Sequence, residues 1–115
     1  MPETPDRAVG AEDAKLVVLA RSSRARTGAA EGAAVRDTDG RTYAASSVDL
    51  PSLQLSALQA AVAAAVSSGV DGLEAAAVVT GAASVEPGGL AAVRDLSPGA
   101  PVLRADGRGE VLEVV

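Results

Sequence analysis

The segment PSLQLSALQAAVAAAVSSG, from Pro51 to Gly69, decides how the chain is read, because it is its longest uninterrupted apolar stretch. Its larger side chains recur at helical spacing and share one narrow stripe: Leu55, Leu58, Val62 and Val66. Pro51 and Ser52 suit the first turn of a helix, and Gly69 suits the position after its end. We therefore predict a single helix from Pro51 to Gly69, apolar on nearly every side and covered on more than one.

Two Asp-Gly turns predict a hairpin on either side of this helix. Asp37-Thr38-Asp39-Gly40 separates candidate strands at 30–37 and 41–46, and Asp106-Gly107-Arg108-Gly109 separates candidate strands at 102–105 and 110–115. The remaining predicted elements are a helix over 11–26, a buried strand over 73–79 and a helix over 87–96 that begins with proline. The order α-β-β-α-β-α-β-β predicts an α/β protein with one mixed sheet and helices on its faces. We expect a single domain over residues 11–115 and a flexible tail over residues 1–10.

Charge and composition exclude several classes of partner. The net charge is −5 and no basic run occurs, so we expect neither nucleic acid nor a membrane as partner. No segment approaches the roughly 18 apolar residues of a membrane span, and the first ten residues, MPETPDRAVG, lack the pattern of a signal peptide. The absence of cysteine excludes disulfides and thiolate chemistry. These observations favour a cytoplasmic protein.

The predicted core consists of small side chains. The chain has 26 alanines and one aromatic residue, Tyr43, and small side chains each bury little apolar area. Association could supply the missing buried area. Five alanines of the central segment would allow close helix–helix contact between subunits: Ala57, Ala60, Ala61, Ala64 and Ala65. We therefore expect a homo-oligomer, a dimer or tetramer. The nine arginines against one lysine fit a GC-rich bacterial genome.

The succession GAAVRDTDGRTYAASSV, the alanine-rich helix, AAAVV, EPGGLAAV and PVLRADGRGEV resembles the cytidine deaminase family over almost the whole chain. The resemblance implies a three-layer α/β/α cytidine deaminase-like fold, with a mixed five-stranded sheet and helices on both faces. It also implies a tetramer. In that family, Cys-Ala-Glu or His-Ala-Glu opens the central helix and Pro-Cys-x-x-Cys opens the next one. The Cys and His residues hold zinc, and the Glu moves protons.

Each of these functional positions is changed in this chain. The first zinc ligand falls at Ser56 and the proton-moving Glu at Leu58, while the two cysteines after Pro87 fall at Gly88 and Ala91. Serine is a poor zinc ligand, glycine and alanine offer no ligand, and leucine transfers no proton. The ribose-binding Asn-x-Glu aligns near 45–47, without its carboxylate. The resemblance therefore implies a degenerate member, with no metal, no cofactor and no catalytic residue.

A vestigial pocket remains a candidate binding site. It would comprise Ser46, Ser47, Asp49, Gly88 and Gly89. Gly88 and Gly89 begin a helix, so their free N–H groups could receive a small anion. The alternative, which we favour, is that these glycines replaced cysteines without gaining a new role. No histidine is present for the usual hydrolytic triads.

Two functions follow from this reading. The first is a catalytically inactive cytidine deaminase-like protein that acts by association, as a scaffold or regulator of a protein partner that the sequence does not identify. The second is a nucleoside- or nucleotide-binding protein, or a hydrolase, with a rebuilt site that needs no zinc. The sequence favours the first, because every substitution removes reactivity and none adds a titrating group to the pocket.

Overall fold

A computed structural model describes residues 9–115 as a mixed five-stranded sheet with helices on both faces and a separate two-stranded hairpin. The elements in chain order are α1 (Ala11–Thr27), β1 (Glu31–Asp37), β2 (Thr42–Ser46), β3 (Val48–Leu50), β4 (Leu53–Leu55), α2 (Ala57–Ser67), β5 (Leu73–Thr80), α3 (Pro87–Leu96), β6 (Val102–Ala105) and β7 (Val111–Val114). The sheet order is β2-β1-β5-β6-β7. Only β5 and β6 pair in parallel, because α3 connects them as a crossover. The predicted α/β fold and its five-stranded sheet are confirmed.

The central segment differs from its prediction at its beginning. The helix starts at Ala57, and the six residues from Pro51 to Ser56 form a turn, the strand β4 and the helix cap. Val48 pairs with Leu55 and Leu50 with Leu53, so Pro51 and Ser52 form the turn of a hairpin. At the other end Gly69 adopts a positive φ of 97°, as predicted for the position after a helix.

Two apolar layers hold the helices on the sheet. On one face, α2 buries its larger side chains and three alanines against the sheet and α3: Ala57, Leu58, Ala61, Val62 and Ala65. On the other face, Leu16, Val17 and Ala20 of α1 lie against β1, β5 and β6. The predicted use of Ala57, Ala61 and Ala65 in contacts between subunits is therefore wrong, because the chain covers these side chains itself. Ala60 and Ala64 are half-buried, and Val66, predicted on the buried stripe, is 49% exposed.

The helix α1 approaches the sheet closely at Gly32. A Cβ atom on Gly32 would lie 2.0 Å from the carbonyl oxygen of Ala20 and 2.8 Å from the nitrogen of Arg24. Glycine is required here by the contact between backbones, because no side chain fits between α1 and β1.

The single tyrosine of the chain lies under the end of α2. Tyr43 packs on the core layer of α2, and its hydroxyl donates to Oδ2 of Asp37 at 3.1 Å. Asp37 also accepts the N–H groups of Asp39 and Arg41, which closes the β1–β2 turn. Burial and the adjacent Asp37 carboxylate raise the pKa of Tyr43.

The structure describes only the last two residues of the predicted tail over residues 1–10. Residues 1–8 of the predicted tail lie outside the described residues, whereas Val9 packs against the core layer of α1. Within residues 9–115, none of the helices is both long and apolar enough to cross a membrane.

Candidate functional site

The first turns of α2 and α3 meet at one place, which we call the helix-junction site and define by Ser56, Leu58, Gln59, Glu86, Gly88 and Gly89. A Cβ atom on Gly89 would lie 2.7 Å from Cβ of Leu58 and 2.9 Å from Oγ of Ser56. The absence of a side chain at Gly89 therefore allows the two helices to touch. The site consists of two helix N-termini whose N–H groups need acceptors.

Glu86 supplies the acceptors for α3. Its carboxylate accepts the N–H of Gly88 on Oε2 at 2.8 Å and the N–H of Gly89 on Oε1 at 2.6 Å. Burial raises the pKa of this carboxyl, but the hydrogen bonds from Gly88, Gly89 and the Ser56 hydroxyl outweigh it and hold the pKa of Glu86 below its usual value. At neutral pH the N-terminus of α3 is thus occupied by an ionised carboxylate of the chain itself.

Ser56 and Gln59 supply the acceptors for α2 through a reciprocal capping box. The Ser56 hydroxyl accepts the N–H of Gln59 at 3.1 Å, and Oε1 of Gln59 accepts the N–H of Ser56 at 2.9 Å. Oε1 of Glu31 lies 3.4 Å from the nitrogen of Ala57 and adds a second carboxylate to this end of the helix. Acceptors within the chain therefore serve Gly88 and Gly89 on α3, and Ala57 and Gln59 on α2.

The structure brings together only some of the residues selected from the sequence. Ser56, Leu58, Gly88 and Gly89 lie side by side, and Leu58 is 1% exposed within the core. Ala91 follows at the beginning of the second turn of α3, where it is exposed.

The three other residues selected from the sequence lie elsewhere. Ser47 hydrogen bonds to the backbone of Glu31. Ser46 donates to the carbonyl oxygen of Ser23 on α1, because its side chain points to the opposite face of the sheet. Asp49 is exposed on the β3–β4 hairpin, where it accepts from Gln54.

The zinc ion of the family that the sequence resembles does not fit the residues present at the helix-junction site. Within residues 9–115 no three acidic, histidine or cysteine side chains are grouped as a metal site would require. A Cβ atom on Gly88 would lie 2.8 Å from Nε2 of Gln59 and 3.0 Å from Oε2 of Glu86. The capping side chains thus fill the space that a ligand side chain at position 88 would need.

The Glu86 carboxylate also occupies the position where a small anion would bind to Gly88 and Gly89. Their N–H groups already donate to Glu86, and a second anion would have to displace that carboxylate.

The sequence reasoning missed the capping residues that dominate this site. Glu86 stands immediately before Pro87, which is the N-cap position of a helix that begins with proline. Ser56-x-x-Gln59 is the sequence pattern of a capping box and would have placed the start of α2 correctly. Glu31 carried no local signal, because its contact with Ala57 joins residues that are far apart in the chain.

Comparisons with known proteins place the chain among relatives of this fold. A family model described as "Cytidine deaminase-like" matches residues 9–109. The structure is similar to that of a cytidine deaminase from Burkholderia pseudomallei, with a TM-score of 0.77 and 22% identity over 88% of this chain and 89% of that one. It is also similar to a cytidine deaminase from Mycobacterium leprae, with a TM-score of 0.69 and 20% identity over 84% and 89% of the two chains. Comparison with curated proteins gives no match.

Proposed function

The chain belongs to the cytidine deaminase-like family, and from this premise we propose that it is a member without zinc-dependent deaminase activity that acts by association. The observation that carries the proposal is the capping of α3 by Glu86. The family resemblance implies zinc-bound thiolates at the N-terminus of α3. At this helix end the chain has instead a carboxylate that accepts hydrogen bonds from the backbone. Leu58 stands in the core at the position of the proton-moving residue, and it has no group that could transfer a proton.

Loss of catalytic groups at every matching position supports the first half of the proposal. The 115 residues include neither histidine nor cysteine, so the nitrogen and sulfur ligands preferred by zinc are missing. The polar groups that remain at the helix-junction site are engaged in hydrogen bonds that stabilise the helices. This arrangement suits a structural role better than a catalytic one.

Exposed apolar side chains support the second half of the proposal, that the protein acts by association. Leu50 and Leu53 on the β3–β4 hairpin are 54% and 47% exposed, and the hairpin leads directly into the helix-junction site. A second group of exposed side chains lies on the edge strand β7 and the residue after it: Leu112, Val114 and Val115. Large apolar side chains grouped on a surface are typical of contacts with another subunit or protein. We favour a second copy of the chain as the partner, because association would supply buried area to a core made of small residues.

A second candidate function is a nucleoside-binding protein or a zinc-independent hydrolase. Its support is the presence of two carboxylates at this site: Glu86 beside the Ser56 hydroxyl, and Glu31 with Oε1 3.4 Å from the nitrogen of Ala57. The Glu86 carboxylate has a lowered pKa and both its oxygens accept backbone hydrogen bonds. It is therefore ionised at neutral pH and is a poor proton donor.

Two measurements on the purified protein test the proposal. Elemental analysis of protein from zinc-supplemented cells is expected to give far less than one zinc per chain. Incubation with cytidine or deoxycytidine is expected to yield no uridine or deoxyuridine above a control without protein. One zinc per chain, or product formation that disappears in the Glu86→Ala variant, would overturn it.

A further inference from the structure

A groove on the far side of the molecule from the helix-junction site carries a concentration of arginines. It runs between the outer side of α1 and the β6–β7 turn, and we call it the α1–turn groove. It consists of two neighbouring depressions, which we call its halves, with volumes of about 370 Å³ and 380 Å³, and Arg21 lines both of them. Each half is large enough for a small ligand.

Two arginines of this groove lie close to glycines of the turn. A Cβ atom on Gly107 would lie 3.2 Å from Nη1 of Arg24, and one on Gly109 would lie 3.6 Å from Cδ of Arg21. Arg21 and Arg24 of α1 therefore reach the turn, which also carries Arg108. Small residues in the turn leave room for the guanidinium groups.

The charge of the groove is opposite to that of the whole chain. Among residues 9–115, the ion pairs within 4.0 Å involve Lys15, Arg36 and Arg104 as cations, and none involves Arg21, Arg24 or Arg108. Glu110 is the acidic residue lining the groove. The nearby carboxylate of Asp106 is occupied by the N–H groups of Arg108 and Glu110 within the turn. Three guanidinium groups therefore lie near two carboxylates, those of Asp106 and Glu110, in a protein whose net charge is −5.

The two halves of the groove differ in chemistry. One half is lined by Arg21, Arg24 and the small residues Gly28 and Gly107. The other half has an apolar wall that includes Val17, Val18 and Val111, with Arg21 and Arg108 at its margin. A ligand that fills both halves needs an anionic group at one end and an apolar or flat group at the other.

We propose that the α1–turn groove binds a small organic phosphate, with the phosphate between Arg21, Arg24 and Arg108 and the organic part against Val17, Val18 and Val111. A phosphate presents several oxygens to guanidinium groups that approach from two elements, and arginine binds such anions through paired hydrogen bonds. The proposal is independent of the helix-junction site and adds a ligand to the function proposed above.

Titration of the ¹⁵N-labelled full chain with phenyl phosphate, followed by amide chemical shifts, tests the proposal. The amide signals of Gly28, Gly107 and Gly109 are expected to move and to saturate. Arg21→Gln and Arg24→Gln are each expected to raise the dissociation constant about tenfold, because each removes charge-assisted hydrogen bonds to the phosphate. Arg41→Gln, an exposed arginine on the β1–β2 turn, is the matched control and should leave the dissociation constant unchanged.

Inorganic phosphate and phenol test the contribution of each half of the ligand separately. Both are expected to bind more weakly than phenyl phosphate, since each fills one half of the groove. If Arg24→Gln disturbs the fold, Arg21→Gln and Arg108→Gln provide the same test on less buried side chains. Absence of saturable shifts at the three glycines, equal binding by the control and groove variants, or equal binding of inorganic phosphate would contradict the proposal.

Discussion

Oε1 of Glu86 lies 2.6 Å from the backbone nitrogen of Gly89, and this hydrogen bond caps α3 at the point where Gly89 meets Leu58 of α2. In the sequence Glu86 is an unremarkable acid before a proline. In the structure it is the residue that makes the helix-junction site self-contained.

Removing the Glu86 side chain is expected to destabilise the protein. Glu86→Ala leaves the N–H groups of Gly88 and Gly89 without their acceptor, and loss of an N-cap costs about 1 kcal/mol. Urea unfolding at pH 7, followed by circular dichroism, measures the change. Glu110→Ala, which removes an exposed carboxylate that caps no helix, is the control and should change the free energy of unfolding by less than about 0.5 kcal/mol. Equal effects of the two substitutions would contradict the capping role.

The stability that Glu86 contributes is expected to depend on pH. Its pKa is lower in the folded protein than in the unfolded chain, so its contribution is complete above the usual glutamate pKa of about 4.3 and is lost as the pH falls through the lowered value. The difference in free energy of unfolding between the native protein and Glu86→Gln should therefore be larger at neutral pH than in acid. A difference that stays constant across this range would show that Glu86 is not ionised in its cap.

Zinc binding by a variant with new ligands is expected to be tighter when Glu86 is also removed. In the variant Ser56→Cys, Gly88→Cys, Ala91→Cys, the new side chain at 88 meets Gln59 and Glu86, and the thiolates compete with the Glu86 carboxylate for the same N–H groups. Adding Glu86→Ala should raise the affinity for zinc about tenfold. Substituting a residue that contacts the ligands of a metal typically changes metal affinity by this amount or more. Competition with a chromophoric chelator measures both affinities. Tighter binding by the variant that keeps Glu86 would show that the carboxylate assists the metal.

Two glycines are expected to be sensitive to the addition of a single methyl group. Gly89→Ala places Cβ against Leu58 and should cost about 1–3 kcal/mol by overpacking. Gly32→Ala meets the backbone of Ala20 and should cost about 3 kcal/mol or more, because backbone atoms move less readily than side chains. Gly99→Ala is the control, since nothing lies within 4 Å of its Cβ position. Thermal unfolding of the three variants ranks these costs, and a neutral Gly32→Ala would contradict the close approach of α1.

Self-association is expected to depend on the exposed apolar side chains and not on the buried alanines. Light scattering should give a mass above that of one chain at micromolar concentration. Leu50→Ser with Leu53→Ser tests the hairpin, and Leu112→Ser with Val114→Ser tests the edge strand; we expect one pair to lower the mass. A monomeric mass for the unmodified protein would remove the support for a homo-oligomer.

The elements with local signals were predictable from the sequence, and the contacts between distant residues were not. The Asp-Gly turns placed β1, β2, β6 and β7, and Pro87 placed the start of α3. The start of α2 was predicted too early because Leu55, which pairs with Val48 in a hairpin, also lies at helical spacing from Leu58. The roles of Glu31 and Gly32 depend on which elements pack together, and nothing in their neighbouring residues indicates it.

The bond between Tyr43 and Asp37 also determines what optical spectroscopy can see of this protein. Tyr43 is the only aromatic residue of the chain, so near-ultraviolet absorbance and intrinsic fluorescence report from the β1–β2 turn and the adjacent end of α2 alone. Local opening of the first turn of α3 would leave that signal unchanged. Amide hydrogen exchange at Gly88 and Gly89 would detect it, and comparison of the two signals would show whether the two regions unfold together.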